Sequence, residues 1–240
     1  MKFSAAPVIY DLNPFEESQY QQHQLGARGE LADGRVFRYA WMGEEITVGR
    51  LATGPAINTS LDNMAVISGA AGAKKINFTN AATTTTARYF DEGFAVISLA
   101  TGAGQILKIS SLPALVSAAS SWVYLEDPIQ TALDTTSKLT LVQAPHSQVL
   151  MTATATLTPV GVALRTFTTQ YYGWLQTKGA CCIHSDATIA AGTGFINDGS
   201  EAGAVDVATE ASYIVNPLAG RIYQIASASG YWTPCILNID

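Results

Sequence analysis

The sequence predicts an all-β protein: short antiparallel strands in a sandwich or barrel architecture, arranged as two β domains behind an N-terminal arm. Three observations lead there. Short runs of alternating apolar and polar residues recur from about Gly34 to the C-terminus. Turn signals separate them at short intervals, among them Asp33-Gly34, Thr101-Gly102-Ala103-Gly104, Asp198-Gly199 and Ser229-Gly230. Helical periodicity is nearly absent after residue 30, and no fixed-period repeat suggests a solenoid or propeller. With 240 residues the chain can bury one large core or two smaller ones. The expected division is an arm over 1–30, a first β domain over 31–145 and a second over 146–240.

The arm scatters Phe3, Val8, Ile9, Tyr10 and Phe15 among polar residues without a sheet period. Asn13-Pro14-Phe15-Glu16 reads as a helix start, with Asn as cap, Pro in the first turn and Glu three residues on, and the helix would stop at Gly26. Phe3, Val8, Tyr10 and Phe15 are the candidate partner-binding residues: they would order on a partner by strand addition or groove binding, or pack on their own β domain. Strands are expected at Arg35 to Ala40, Ile46 to Val48, Phe94 to Leu99, Ile106 to Ile109, Trp122 to Leu125 and Lys138 to Val142. The second half adds Val149 to Leu157, Tyr171 to Gln176, Ala180 to His184, Ser212 to Val215, Arg221 to Ala226 and Thr233 to Ile239. The Thr83-Thr84-Thr85-Thr86 run reads as a surface loop.

Composition narrows the function. Only 13% of residues are charged while 48% are hydrophobic, and charge is what normally keeps folded monomers apart. Interface centres are likewise depleted in Lys, Glu and Asp, so the chain looks built to lie against other protein. A net charge of −6 argues against a nucleic-acid or anionic-membrane binder, since both require a basic face. Arg28, Arg35 and Arg38 form the one dense basic stretch, interleaved with acids like a solvated strand face. No stretch approaches the roughly 20 apolar residues of a membrane span. The apolar run Ala5 to Tyr10 is too short for a signal-peptide core, so the sequons at Asn58 and Asn77 have no visible secretory route.

Reactive constellations are missing. Cys182 and His184 would share a strand face, but only Cys235, His23 and His146 remain to complete a zinc site, and no Cys-x-x-Cys or His-Glu-x-x-His occurs. The expected arrangement is a core thiol beside a surface imidazole, with Cys181, Cys182 and Cys235 all free. No Gly-x-Ser-x-Gly elbow is present. The acidic doublets Glu44/Glu45, Asp91/Glu92 and Glu126/Asp127 sit at strand ends or turns, and adjacent acids on a strand face opposite ways. Gly102-Ala103-Gly104 lacks the Lys-Ser/Thr of a phosphate loop and reads as a hairpin turn. Tyr171, Tyr172 and Trp174, with Tyr231 and Trp232, would make an aromatic shelf for glycan or partner if exposed, though one member of each pair should face the core. The chain is expected to have no catalytic residue, cofactor or metal and not to be an enzyme.

The segment Tyr171-Tyr172-Gly173-Trp174-Leu175-Gln176-Thr177-Lys178-Gly179 resembles an aromatic Leu-Gln-Thr segment of tailed-phage virion proteins of the head-decoration type. Leu25-Gly26-Ala27-Arg28, Asp33 to Tyr39, Asp127-Pro128-Ile129 and Pro234 to Asp240 fit the same resemblance. It departs at Lys178, where that segment carries a second Trp. The resemblance implies a non-enzymatic bacteriophage capsid decoration (cement) protein: β-rich, homo-oligomeric with a trimer favoured, and bound across major capsid protein subunits. It would be made in the host cytoplasm and reside on the capsid surface of the virion, without nucleic-acid or membrane contacts. The alternative is a tail or head-fibre component binding host surface glycans through exposed aromatics.

Overall fold

The structure, a computed structural model, describes residues 8–56, 58–153, 157–197, 200–209 and 218–240. It is all-β, and every pair of named strands is antiparallel. The chain opens with β1 (Glu17–Ser18), β2 (Arg28–Glu30), β3 (Val36–Trp41) and β4 (Leu51–Thr53). A single 3-10 turn, Thr59–Leu61, precedes β5 (Met64–Ser68), β6 (Lys75–Thr79), β7 (Phe94–Leu99), β8 (Ile106–Ser111), β9 (Ser120–Leu125) and β10 (Lys138–Val142). Then follow β11 (Pro159–Ala163), β12 (Tyr172–Ser185), β13 (Gly194–Ile196), β14 (Asp206–Val207), β15 (Leu218–Ile222) and β16 (Tyr231–Asn238).

Two compact units result, one nested in the other: Ile57–Ala144 form one, and Met1–Ala56 with Pro145–Asp240 form the other. This corrects the expected cut into 31–145 and 146–240. The break near residue 145 exists, but β3 and β4 pair with β12 and β11, so the chain before residue 57 belongs with the C-terminal half.

The inserted unit is a closed six-stranded barrel in the order β10-β5-β6-β9-β8-β7. Each strand turns two residues inward at period two: Met64 and Val66, Ile76 and Phe78, Ala95 and Ile97, Leu107 and Ile109, Val123 and Leu125, Leu139 and Leu141. Closure leaves no edge strand. The β7–β8 turn carries Gly102 at φ 78° and Gly104 at φ 89°, which accounts for both glycines without a phosphate loop.

In the enclosing unit β12 is the spine. Its first half pairs with β3 on one side and with β1 and β11 on the other, and its second half pairs with β16. The two expected strands, 171–176 and 180–184, are therefore one strand. It is interrupted at a bulge beside Lys178, where Gln176 Nε2 braces the backbone by donating to the carbonyls of Lys178 (3.0 Å) and Ala180 (2.8 Å). β16 continues through β15 to β13 and β14. Val149 and Leu150 make isolated bridges only, as does Ile46; Ser212 to Val215 and Asp198-Gly199 lie outside the described residues.

From residue 8 onward the expected arm packs on its own unit. Ile9 bonds both Arg28 and Glu30 through its backbone (3.0 and 2.9 Å), and Ile9, Leu12 and Leu25 cover Phe37, Tyr39 and Trp174. The fit is close: a Cβ on Gly29 would lie 2.3 Å from Leu12 Cδ2. The helix expected from Asn13 does not form. Asn13 closes a single turn, its Oδ1 accepting from Phe15 N and its Nδ2 donating to Glu16. The chain then joins the sheet as β1, paired with β12 at Gly173 and Tyr172, in place of a short helix that would be marginal by itself.

Candidate functional site

Two surfaces of the enclosing unit stand out, one by its exposed apolar side chains and one by its concavity. The first is the outer face of β15, β16 and β12. Along β16 the burial alternates strictly: Thr233, Cys235 and Leu237 point into the core while Trp232, Pro234 and Ile236 point out. Tyr223 N donates to Pro234 O, so the Pro234 backbone is turned toward β15 and away from β12. That phase makes Ala180–Ile236, Cys182–Pro234 and His184–Trp232 the close, non-hydrogen-bonded pairs of the ladder, with Cα atoms about 4.5 Å apart. The outcome is a crowded apolar strip on interior strands. Trp232 is 53% exposed and Ile236 37%, beside an exposed Tyr223. Lys178 on β12 and Arg221 on β15 are the charges that border it.

The same phase explains the cysteines. Cys181 and Cys235 form a hydrogen-bonded pair of the ladder, with their side chains on the same face and their thiols in contact. All three thiols are free. Contact with Cys181 and then burial push the Cys235 thiol far above its ordinary range. Cys182 is exposed on the apolar strip, and its thiol is also raised, by partial burial and by Cys181. His184 is buried beneath Trp232, ring centroids 4.7 Å apart, so the expected core thiol and surface imidazole are reversed. Burial and then Arg50 hold its pKa down; Glu201, 3.9 Å from Nδ1, opposes them. Among the described residues no group of three His, Cys, Asp or Glu side chains can hold a metal ion.

The acidic doublets serve the backbone. Glu44 accepts from Met151 N, Asp91 from Leu112 N (2.8 Å) and Asp127 from Lys108 N (3.2 Å). Arg28, Arg35 and Arg38 are neutralised as well, by Glu30 and Asp240, Asp33, and Asp240 respectively.

The second surface is a cleft of about 430 Å³ between the N-terminal segment and the start of β12. Tyr39, Tyr172, Trp174 and His23 form its aromatic side, with Tyr39 and Tyr172 stacked at 6.0 Å and Trp174 edge-on to Tyr39 at 5.2 Å. Asp11, Glu16 and Glu17 line its rim. Sequence reasoning missed this cleft, because its rim and floor lie some 150 residues apart in the chain. No open shelf forms from Tyr171, Tyr172 and Trp174: Trp174 faces the core, as one member was expected to, at 5% exposure, and Tyr171 and Tyr172 are half-buried. Tyr231 and Trp232 are both exposed, but they alternate on β16 and point to opposite faces. Of the candidate partner-binding residues, Tyr10 (72%) and Phe15 (56%) are exposed and Val8 is half-buried; Phe3 lies outside the described residues.

Comparison with protein-family models, with curated proteins and with solved structures returned no match.

Proposed function

We propose that this chain is a non-enzymatic structural protein of a tailed-phage virion, a homo-oligomer that decorates the capsid and stabilises it by docking across major capsid protein subunits. The observation that carries this reading is the apolar strip of Ala180, Cys182, Trp232, Pro234 and Ile236. Trp232 covers His184 and still leaves 53% of its surface exposed, Ile236 leaves 37%, and apolar patches of this kind mark surfaces that meet other protein. Because β16 is paired on both sides, docking there uses side chains rather than strand addition. Repetition over a symmetric shell turns modest single contacts into firm attachment. Tyr10 and Phe15 extend the apolar surface available to a partner. The resemblance of Tyr171 to Gly179 to head-decoration proteins supports the same reading, and the low charge of the chain agrees with it.

The test mixes purified protein with undecorated phage heads and measures co-sedimentation and alkylation of Cys182. Binding that protects Cys182, and that Trp232→Lys or Ile236→Asp weakens without lowering the melting temperature, is the expected result. Attachment indifferent to both substitutions would remove the strip from the docking site. Absence of the chain from heads, with selective signals on a glycan array, would transfer the protein to the fibre reading.

A further inference from the structure

We infer that this chain binds a second copy of itself head to tail, the Tyr10-Asp11 segment of one copy docking in a basic pocket at the Ile236 end of the apolar strip of the next. The inference rests on the homo-oligomer proposed above and not on the capsid. The pocket, of about 410 Å³, lies over β12, β16 and β15, with Lys178, Arg221, Ile236 and Asn238 in its lining. Register puts these residues on one face: Arg221 and Ala180 flank Ile236, and Lys178 pairs with Asn238 two residues along. No carboxylate lines the pocket. The chain has six other arginines, and each pairs with a carboxylate at 3.4 Å or less. Among the described residues Arg221 has no acidic partner, and neither has Lys178.

The matching surface is on the chain itself. Tyr10 and Phe15 are exposed, and each precedes an exposed acid, Asp11 and Glu16. Asp11 has no partner among the described residues, and Glu16 accepts one bond, from Asn13. These residues are held away from the pocket of their own copy. Ile9 bonds Arg28 and Glu30 through its backbone (3.0 and 2.9 Å), Arg165 Nη1 donates to the Phe15 carbonyl (2.9 Å), and no residue of the segment lines the pocket. An aromatic ring over Ile236, with a carboxylate between two cations, satisfies both charges and covers apolar surface that the strands leave open. Copies of net charge −6 repel one another, and unpaired cations beside an apolar floor supply the local attraction that association needs. Segment and pocket are different surfaces, so the contact is heterologous and generates a ring where the rotation between copies closes.

The deciding experiment is sedimentation velocity on the full chain at low and high salt. Wild type should sediment above the monomer mass and dissociate more readily at high salt. Arg221→Glu and Asp11→Arg should each raise the dissociation constant about tenfold or more with the circular dichroism spectrum unchanged, and the two together in one chain should restore most of the association. A merely structural role for either residue would not give that rescue. Trp232→Lys should leave the mass unaltered, which separates this contact from head binding. A wild type that stays monomeric at every concentration would overturn the inference together with the homo-oligomer. Wild-type association that neither single substitution weakens, or that the double variant does not recover, would overturn this contact alone. Loss of head binding by Arg221→Glu with the oligomer intact would give the pocket to an acidic segment of the capsid and overturn the inference as well.

Discussion

Single residues set the acid sensitivity of this protein. His146 lies against Gly26, where a Cβ would come within 3.2 Å of Nδ1, and lines a small cavity with Arg38 and Asp240. Burial, and then the Arg38 charge, bring its pKa down from 6.5 to about 4, with Asp240 pulling the other way. Between those values the unfolded chain holds a proton that the folded chain does not, so stability is whole above pH 6.5 and falls as the pH drops toward 4. At about 1.4 kcal/mol per unit the loss reaches up to about 3 kcal/mol. Replacing His146 with Gln should flatten this slope, measured as urea unfolding free energy at pH 7, 5.5 and 4.5. His184, whose pKa burial and then Arg50 also lower, works in the same direction, its contribution being lost as the pH falls below its ordinary value. Asp134, held at about 2 first by the Thr136 hydroxyl, acts only at lower pH. Parallel pH profiles for wild type and variant would remove His146 from this role.

Among the elements, β12 concentrates the constraints. Gly173 pairs with Ala40 of β3 on one side and Glu17 of β1 on the other, and an added Cβ would sit 2.2 Å from Cε1 of Phe167, a fully buried ring. Gly173→Ala should destabilise by about 1–3 kcal/mol, because neither the ring nor the strand has room to retreat. Chemical denaturation would show it as a lower midpoint at unchanged slope, and wild-type stability would mean that Phe167 does move. Legibility in the sequence follows the same divide between local and distant causes. β7, β8, β9, β10 and β16 alternate and are readable, since one residue in two faces a core, whereas β3 is readable from its apolar and aromatic residues although both of its faces are covered. β12 reads as two strands because Lys178-Gly179 looks like an end, whereas Gln176 braces a bulge there. β5 is obscured because Ala65 and Ile67 make Met64 to Ile67 one apolar run, whereas β6, Lys75-Ile76-Asn77-Phe78-Thr79, alternates strictly and is legible, although it is missing from the strands expected. The apolar strip is legible in the alternation of Trp232, Pro234 and Ile236, although only the strand and the Tyr231–Trp232 pair are taken from it in the sequence reading. The cleft is not, since Leu12 and Trp174 meet only after β1 and β3 have joined β12.

For the molecule as a whole, the decisive feature is that one unit interrupts the other. Residues 57–144 leave the enclosing sheet just after β4 and re-enter it just before Val149 and Leu150. The exit and return points are neighbours within the enclosing unit. Thr53 and Leu150 exchange backbone bonds at 2.8 and 3.0 Å, and a Cβ on Gly54 would stand 3.4 Å from the Pro145 carbonyl. Insertions whose ends lie this close are tolerated because the host fold does not depend on them to close its own core. Here the host keeps three apolar clusters of its own, around Phe195, Phe167 and Trp174, and the barrel keeps one around Phe78. Replacing 57–144 with a short Gly-Ser linker should therefore leave a β protein that unfolds in one cooperative transition, and the isolated barrel should fold by itself. The apolar strip proposed to dock belongs to the host, so the shortened protein should still sediment with undecorated heads. Calorimetry and co-sedimentation on the same sample separate the outcomes. Loss of cooperative melting would show that the host needs its insertion. A well-folded host that no longer binds heads would move the capsid contact from the Trp232 strip to the barrel, whose exposed Leu99, Ile106 and Val142 would then be the next residues to substitute.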